Sequence, residues 1–169
     1  MRQAFACHKL MINYFHYILR WNEVVQPPWK QVLFFLENQV NQKEIAPVAF
    51  VLMGTHFHLL SRGIPKDFSF SKNRNIDICF SEVIHPKYVL RTYKYIYQNP
   101  VRARLCLFVE DYPYHSLLSS KLGSVLERAF LKERGRILPY HLQSIEAELS
   151  WLNDTSYCAK NIYLSNNHP

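Results

Sequence analysis

The chain predicts an α+β domain with an antiparallel sheet and helices packed on one face, and three observations predict it. Short runs rich in β-branched and aromatic residues alternate with stretches of helical period. Prolines and a few glycines punctuate those runs where elements begin or stop. Hydrophobic residues reach 49% and aromatics 15%, enough for a packed core. With 169 residues the chain is read as one domain over residues 1–120, followed by a helical extension over 121–169.

The elements follow in order. Residues 10–20, LMINYFHYILR, read as a strand. Pro27 and Pro28 suit the start of a helix, and WKQVLFFLENQVNQ continues it with apolar residues at 29, 32, 33, 36 and 40. Residues 45–61 are two apolar strand-like runs separated by Gly54–Thr55, a turn or bulge. Residues 62–78 are polar and read as a loop, and CFSEVI over 79–84 reads as a short strand. Pro86 then opens a helix, KYVLRTYKYIYQN, which Pro100 closes. A turn is expected around Asp111–Pro113. Ser124 and Glu127 fit a capping box, Gly135 fits a helix stop, and a last helix is expected over 140–152. The tail from Asn153 onward is polar.

Several function classes are excluded at this level. Four glycines leave no Gly-rich phosphate loop. No apolar run approaches the roughly 20 residues that cross a bilayer, and the N-terminus lacks a signal-peptide core. The cysteines at 7, 79, 106 and 158 are scattered without a CxxC pair, which fits reduced thiols and a cytoplasmic location. The net charge of +7 is uneven. Residues 61–110 hold nine Lys/Arg against four Asp/Glu, whereas residues 111–169 hold six of each. A local positive field of this kind favours a polyanionic partner, nucleic acid first.

Two stretches carry chemistry. MGTHFHLL places His56 and His58 one residue apart at the end of an apolar run. In a strand they share one face while Phe57 takes the other. Paired imidazoles can hold one divalent ion with coordination sites open for substrate, and the same pair equally suits a hydrogen-bonded strand face. On a helical wheel of residues 88–99, Tyr88, Arg91, Thr92, Tyr95, Gln98 and Asn99 share one side. Val89, Leu90, Tyr93, Ile96 and Tyr97 share the other, which makes Tyr93 and Tyr97 core residues. Tyr95 has Arg91 at i−4 and Asn99 at i+4 as surface neighbours. That pattern fits either a reactive phenol flanked by a cation and an amide, or a plain polar helix face.

Taken together, AFVLMGTHFHLL and YKYIYQNPVRARL resemble the single-tyrosine HUH transposases, above all the REP-associated tyrosine transposases. Their strand ends in an "MPNHxHLL"-like run and their downstream helix in "YIxxNPVRA". Here the second motif stands as Tyr95, Ile96, Asn99, Pro100, Val101, Arg102 and Ala103. DYPYHSLLSS is similar to the family's "W-P-x-S-S" segment. The resemblance covers roughly residues 10–120. It departs from the pattern at Gly54–Thr55, where Pro-Asn is usual, and in an interval of 36 residues between His58 and Tyr95 with no helix read in the loop 62–78.

The resemblance implies a palm of ferredoxin-like or RRM-like type that cuts and rejoins single-stranded DNA, often beside a hairpin. Tyr95 would be the nucleophile, forming a 5′-phosphotyrosine bond. His56, His58 and Asn99 would hold Mg²⁺ or Mn²⁺. Arg62, Lys66, Lys72, Arg74, Arg91, Arg102 and Arg104 would contact the DNA backbone. The chain would act without a membrane, as monomer or homodimer. The alternatives are a catalytically degenerate hairpin-binding protein and a replication-initiator-type nickase.

Overall fold

The computed structural model describes residues 13–21, 29–66, 76–117 and 122–154, and of residues 76–83 only the backbone. Lys72, Arg74, Pro27, Pro28, and the tail beyond Asp154 lie outside the described residues. Strand β1 spans Tyr14–Trp21, helix α1 Trp29–Asn41, β2 Ala46–Leu52, β3 His56–Arg62 and β4 Ile76–Ile84. Helix α2 covers Val89–Arg102, α3 Ser124–Ile137 and α4 Ile145–Asn153. The four strands form an antiparallel sheet in the order β2-β3-β1-β4. The α+β class and the antiparallel sheet stand as the sequence predicts.

The alternation of side chains along each strand builds two cores, one on each face of the sheet. Tyr17, Leu19, Phe50, Leu52, Phe57 and Leu59 point to one face, where α1 supplies Val32, Phe35 and Leu36 and α3 supplies Leu126 and Phe130. Tyr14, Ala49, Val51 and Leu60 point to the other, against Val89, Tyr93, Ile96 and Tyr97 of α2 and Leu152 of α4. The helices are therefore divided: α1 and α3 lie on one face, α2 and α4 on the opposite one. This is why β2 reads as an unbroken apolar run, since both of its faces are covered.

β2 is an edge strand, and its outer edge is occupied. Leu52 N donates to Tyr114 O at 2.8 Å, Ser116 N to Phe50 O at 3.1 Å, and Phe50 N to Ser116 Oγ at 2.8 Å. The segment around His115 thus caps a row of backbone groups that would otherwise recruit another strand. The turn joining β2 to β3 is fixed from the far end of β1. Trp21 donates its backbone N–H to Thr55 O at 3.0 Å and its indole N–H to Gly54 O at 2.7 Å.

Several sequence expectations change at the element ends. Pro100 lies inside α2, which runs on to Arg102. Its missing N–H falls in the last turn, and Ala103 N and Leu105 N still donate to Asn99 O and Pro100 O. Gly123, not Ser124, caps α3, and the helix continues through Gly135 to Ile137. The expected helix over 140–152 starts later, at Ile145, because Ser144 Oγ accepts from Ala147 N and caps it there. β4 begins at Ile76, three residues before the expected strand.

Gly63 follows β3 with φ +89°, and a Cβ there would meet Glu44 O at 2.3 Å. Gly63→Ala is expected to lower stability by at least about 1 kcal/mol. It should read as a lower urea midpoint with an unchanged slope.

Candidate functional site

β1 and β3 pair in a register that sets Arg20 opposite His56, Ile18 opposite His58 and His16 opposite Leu60. His16, His56, His58 and Arg20 therefore share the face that α2 covers. His16 reaches His58 along the diagonal between strands, and its Nε2 lies 3.0 Å from His58 Nδ1. The two rings stack 5.2 Å apart, and the His56 ring meets His58 edge-on at 4.8 Å. His56 Nδ1 lies 3.0 Å from Thr55 Oγ1.

Helix α2 brings the phenol to the same place. The Tyr95 ring lies edge-on to His58 at 5.7 Å and to His16 at 6.0 Å. The Arg102 guanidinium stands 5.4 Å from its centroid. Asn99 Nδ2 donates to Tyr95 O at 3.0 Å, which leaves Oδ1 as its acceptor. Tyr93 and Tyr97, on the same helix, are fully buried, as the wheel predicts. Tyr93 donates to Glu148, and Tyr97 Oη lies 2.7 Å from Ser116 Oγ. Burial raises both of their pKa values.

The wheel misplaces Gln98. It is buried, with its amide donating to Leu152 O at 2.7 Å on α4. Lys94 is buried likewise, its ammonium donating to Trp151 O at 2.6 Å and lying over the Trp151 ring. α4 thus covers Gln98, which the wheel sets on the polar side, and Lys94, which it leaves unplaced.

The basic residues separate by place. Arg91, Arg102 and Arg104 are exposed on or just beyond α2. Arg62 sits at the far end of β3, six residues or roughly 20 Å from His56. There it grips Glu133 through Nη2 at 3.0 Å and Nε at 3.3 Å. Lys66 pairs with Glu44 at 2.7 Å. Sequence reasoning missed His16 and Arg20, which become visible only when β1 is registered against β3.

Burial depresses the histidines. His16 is held down to about 4 by desolvation. His58 is held down to about 3 by desolvation first, then by His16, His56 and Arg20. Desolvation and Arg20 also lower His56. All three rings are therefore neutral at pH 7. As pH falls below about 6.5 the unfolded chain takes up protons that the folded chain refuses, so stability drops. In metal-free protein the loss from pH 7.5 to pH 5 is expected to reach roughly 2 kcal/mol per histidine for His16 and His58. Denaturant titrations at the two pH values check this, with a smaller loss expected in a His16→Gln/His58→Gln variant.

The two neutral imidazoles on one strand face are donors of the kind that suits a borderline divalent ion. Among the described residues no group of three or more His, Cys, Asp or Glu is placed to hold a metal. No helix among the described residues is long and apolar enough to cross a membrane.

Fold and site together define an antiparallel palm that sets paired strand histidines against a helix tyrosine. No family model and no curated protein matches the sequence. Among solved structures the chain is similar in fold to a REP-associated tyrosine transposase bound to a REP hairpin. The TM-score is 0.50 at 20% identity, covering 68% of this chain and 84% of that one. The likeness is one of fold, and it falls on the family that the two sequence motifs resemble.

Proposed function

We propose that the chain cuts and rejoins single-stranded DNA beside a hairpin through a 5′-phosphotyrosine on Tyr95. The observation that carries this reading is the approach of the Tyr95 ring to His58 within one chain, at 5.7 Å between centroids. The neighbour's hairpin-bound state supports the choice of DNA. The excess of positive charge over residues 61–110 supports it as well.

Tyr95 Oη attacks the scissile phosphorus, the Oη–P bond forms and the P–O3′ bond breaks. The phenol proton is released to solvent, and the departing 3′ oxygen takes one up. Mg²⁺ or Mn²⁺ bound by His56, His58 and Asn99 would supply Lewis-acid neutralisation of the phosphate. Arg102 sets a guanidinium beside the same charge, and Arg20, Arg91 and Arg104 offer further phosphate contacts. His56 and His58 are already neutral, so no proton has to leave them before they bind a cation. A second 3′ hydroxyl then displaces Tyr95, and the phosphodiester is restored on a new partner. Because the covalent bond conserves the phosphodiester energy, no nucleotide cofactor is needed.

The test is to incubate the protein and Mn²⁺ with 5′- and 3′-labelled single-stranded DNA carrying a hairpin, then run denaturing gels. A protein-linked DNA band that requires metal is the expected result. Salt-sensitive retention of the hairpin without any such band, over several sequences and metals, would leave a hairpin-binding protein and reject the strand-transfer reading.

A further inference from the structure

β1 places a third imidazole behind the histidine pair. His16 is buried, stacked on His58, and its Nε2 lies 3.0 Å from His58 Nδ1. Two neutral imidazoles at that distance share one proton, so one nitrogen is an N–H and the other a lone pair. The direction decides what His58 can do. If His16 donated, the remaining proton of His58 would sit on Nε2, and that nitrogen could bind no cation. If His58 donates, its Nε2 keeps its lone pair. His56 has the parallel arrangement, with Nδ1 beside the Thr55 hydroxyl and Nε2 left over.

We propose that His16 is the positioning residue of the site: it accepts the Nδ1–H of His58, fixes that ring's tautomer and orientation, and leaves Nε2 as a cation ligand. The inference rests on the strand-transfer reading for the identity of the cation. A ligating histidine commonly hands its second N–H to a carboxylate or a carbonyl. Here a buried imidazole from the neighbouring strand takes that part. His16 does not itself act as a third ligand, because its Nε2 is occupied by the bond to His58. The same ring meets Tyr95 edge-on at 6.0 Å, so one side chain backs both the metal-binding ring and the phenol.

The test has two readouts. Nitrogen-15 NMR of the metal-free wild-type protein should show His58 as the Nδ1–H tautomer, and finding it as Nε2–H overturns the inference. Mn²⁺ affinity, read from the free-ion EPR signal, should fall about 10- to 100-fold in His16→Leu. In His16→Gln, whose amide oxygen can still accept, it should return to within a few-fold of wild type. Wild-type affinity in His16→Leu, or no recovery in a folded His16→Gln, overturns the inference while leaving the strand-transfer reading intact. A wild-type chain that binds no Mn²⁺ overturns both.

Discussion

Tyr95→Phe is expected to abolish the covalent protein–DNA band while leaving the fold intact. The substitution removes a single oxygen. The ring contacts with His58, His16 and Arg102 depend on the aromatic face and edge, and these persist. The hydroxyl has no hydrogen-bond partner among the described residues, so its loss should move stability by no more than about 0.5 kcal/mol. The rate of adduct formation should fall on the order of 10⁴-fold or more, the scale on which loss of a nucleophile acts in other covalent enzymes. Helix α2 supplies its own controls. Tyr93→Phe and Tyr97→Phe should keep the band, since both phenols are buried and engaged by Glu148 and Ser116. Tyr93→Phe should instead lose about 1–3 kcal/mol of stability, because Glu148 forfeits a donor. An adduct that survives Tyr95→Phe and vanishes in Tyr93→Phe would reverse the assignment.

Glu148→Ala is expected to be the most destabilising single change, at about 3–5 kcal/mol. Glu148 is fully buried on α4, accepts from Tyr93 Oη on α2 and pairs with Arg134 on α3. One carboxylate thus joins three helices. Removing it leaves a largely buried guanidinium without its counter-charge and a buried phenol without its acceptor. Burying an unpaired charge is far worse than never having had the pair. The consequence reaches the site, because α2 carries Tyr95 and Asn99 and α4 holds α2 through Lys94 and Gln98. Urea unfolding measures the loss, and adduct formation at a temperature where the variant is folded measures the effect on the site. A Glu148→Ala midpoint within about 1 kcal/mol of wild type would show that this network does not organise the helices.

These two expectations mark where the sequence was informative and where it was silent. His56 and His58 were legible because strand alternation is local: two residues apart means one face. Tyr93 and Tyr97 were legible as core because the apolar stripe of α2 repeats at helical spacing. His16 and Arg20 were not, because a residue's partner across a sheet depends on register, which no local pattern states. Gln98 misled the wheel, and the burial of Lys94 went unread, for a related reason. A polar residue is buried when a distant segment offers it a carbonyl, as Leu152 and Trp151 do. The covering of both faces left a trace in β2, whose unbroken apolar run fits a strand buried on both sides, but which helices take which face depends on long-range packing that no local pattern states. Gly135 and Pro100 show that a breaker residue does not end a helix whose flanks are held by tertiary packing. Gly135 adds no contact that a side chain would disturb, and Pro100 is buried in the last turn.

The most direct measurement is to trap the adduct formed with Mn²⁺ on a hairpin-bearing oligonucleotide, digest it with nuclease and trypsin, and locate the nucleotide by mass spectrometry. The chain has eleven tyrosines, so position is informative. The expected result is a nucleotide attached through its 5′ phosphate to Tyr95, distinguished by fragment ions from Tyr97 on the same tryptic peptide, and to no other residue. A nucleotide linked through a 3′ phosphate, or carried by any other residue, would contradict the proposed chemistry.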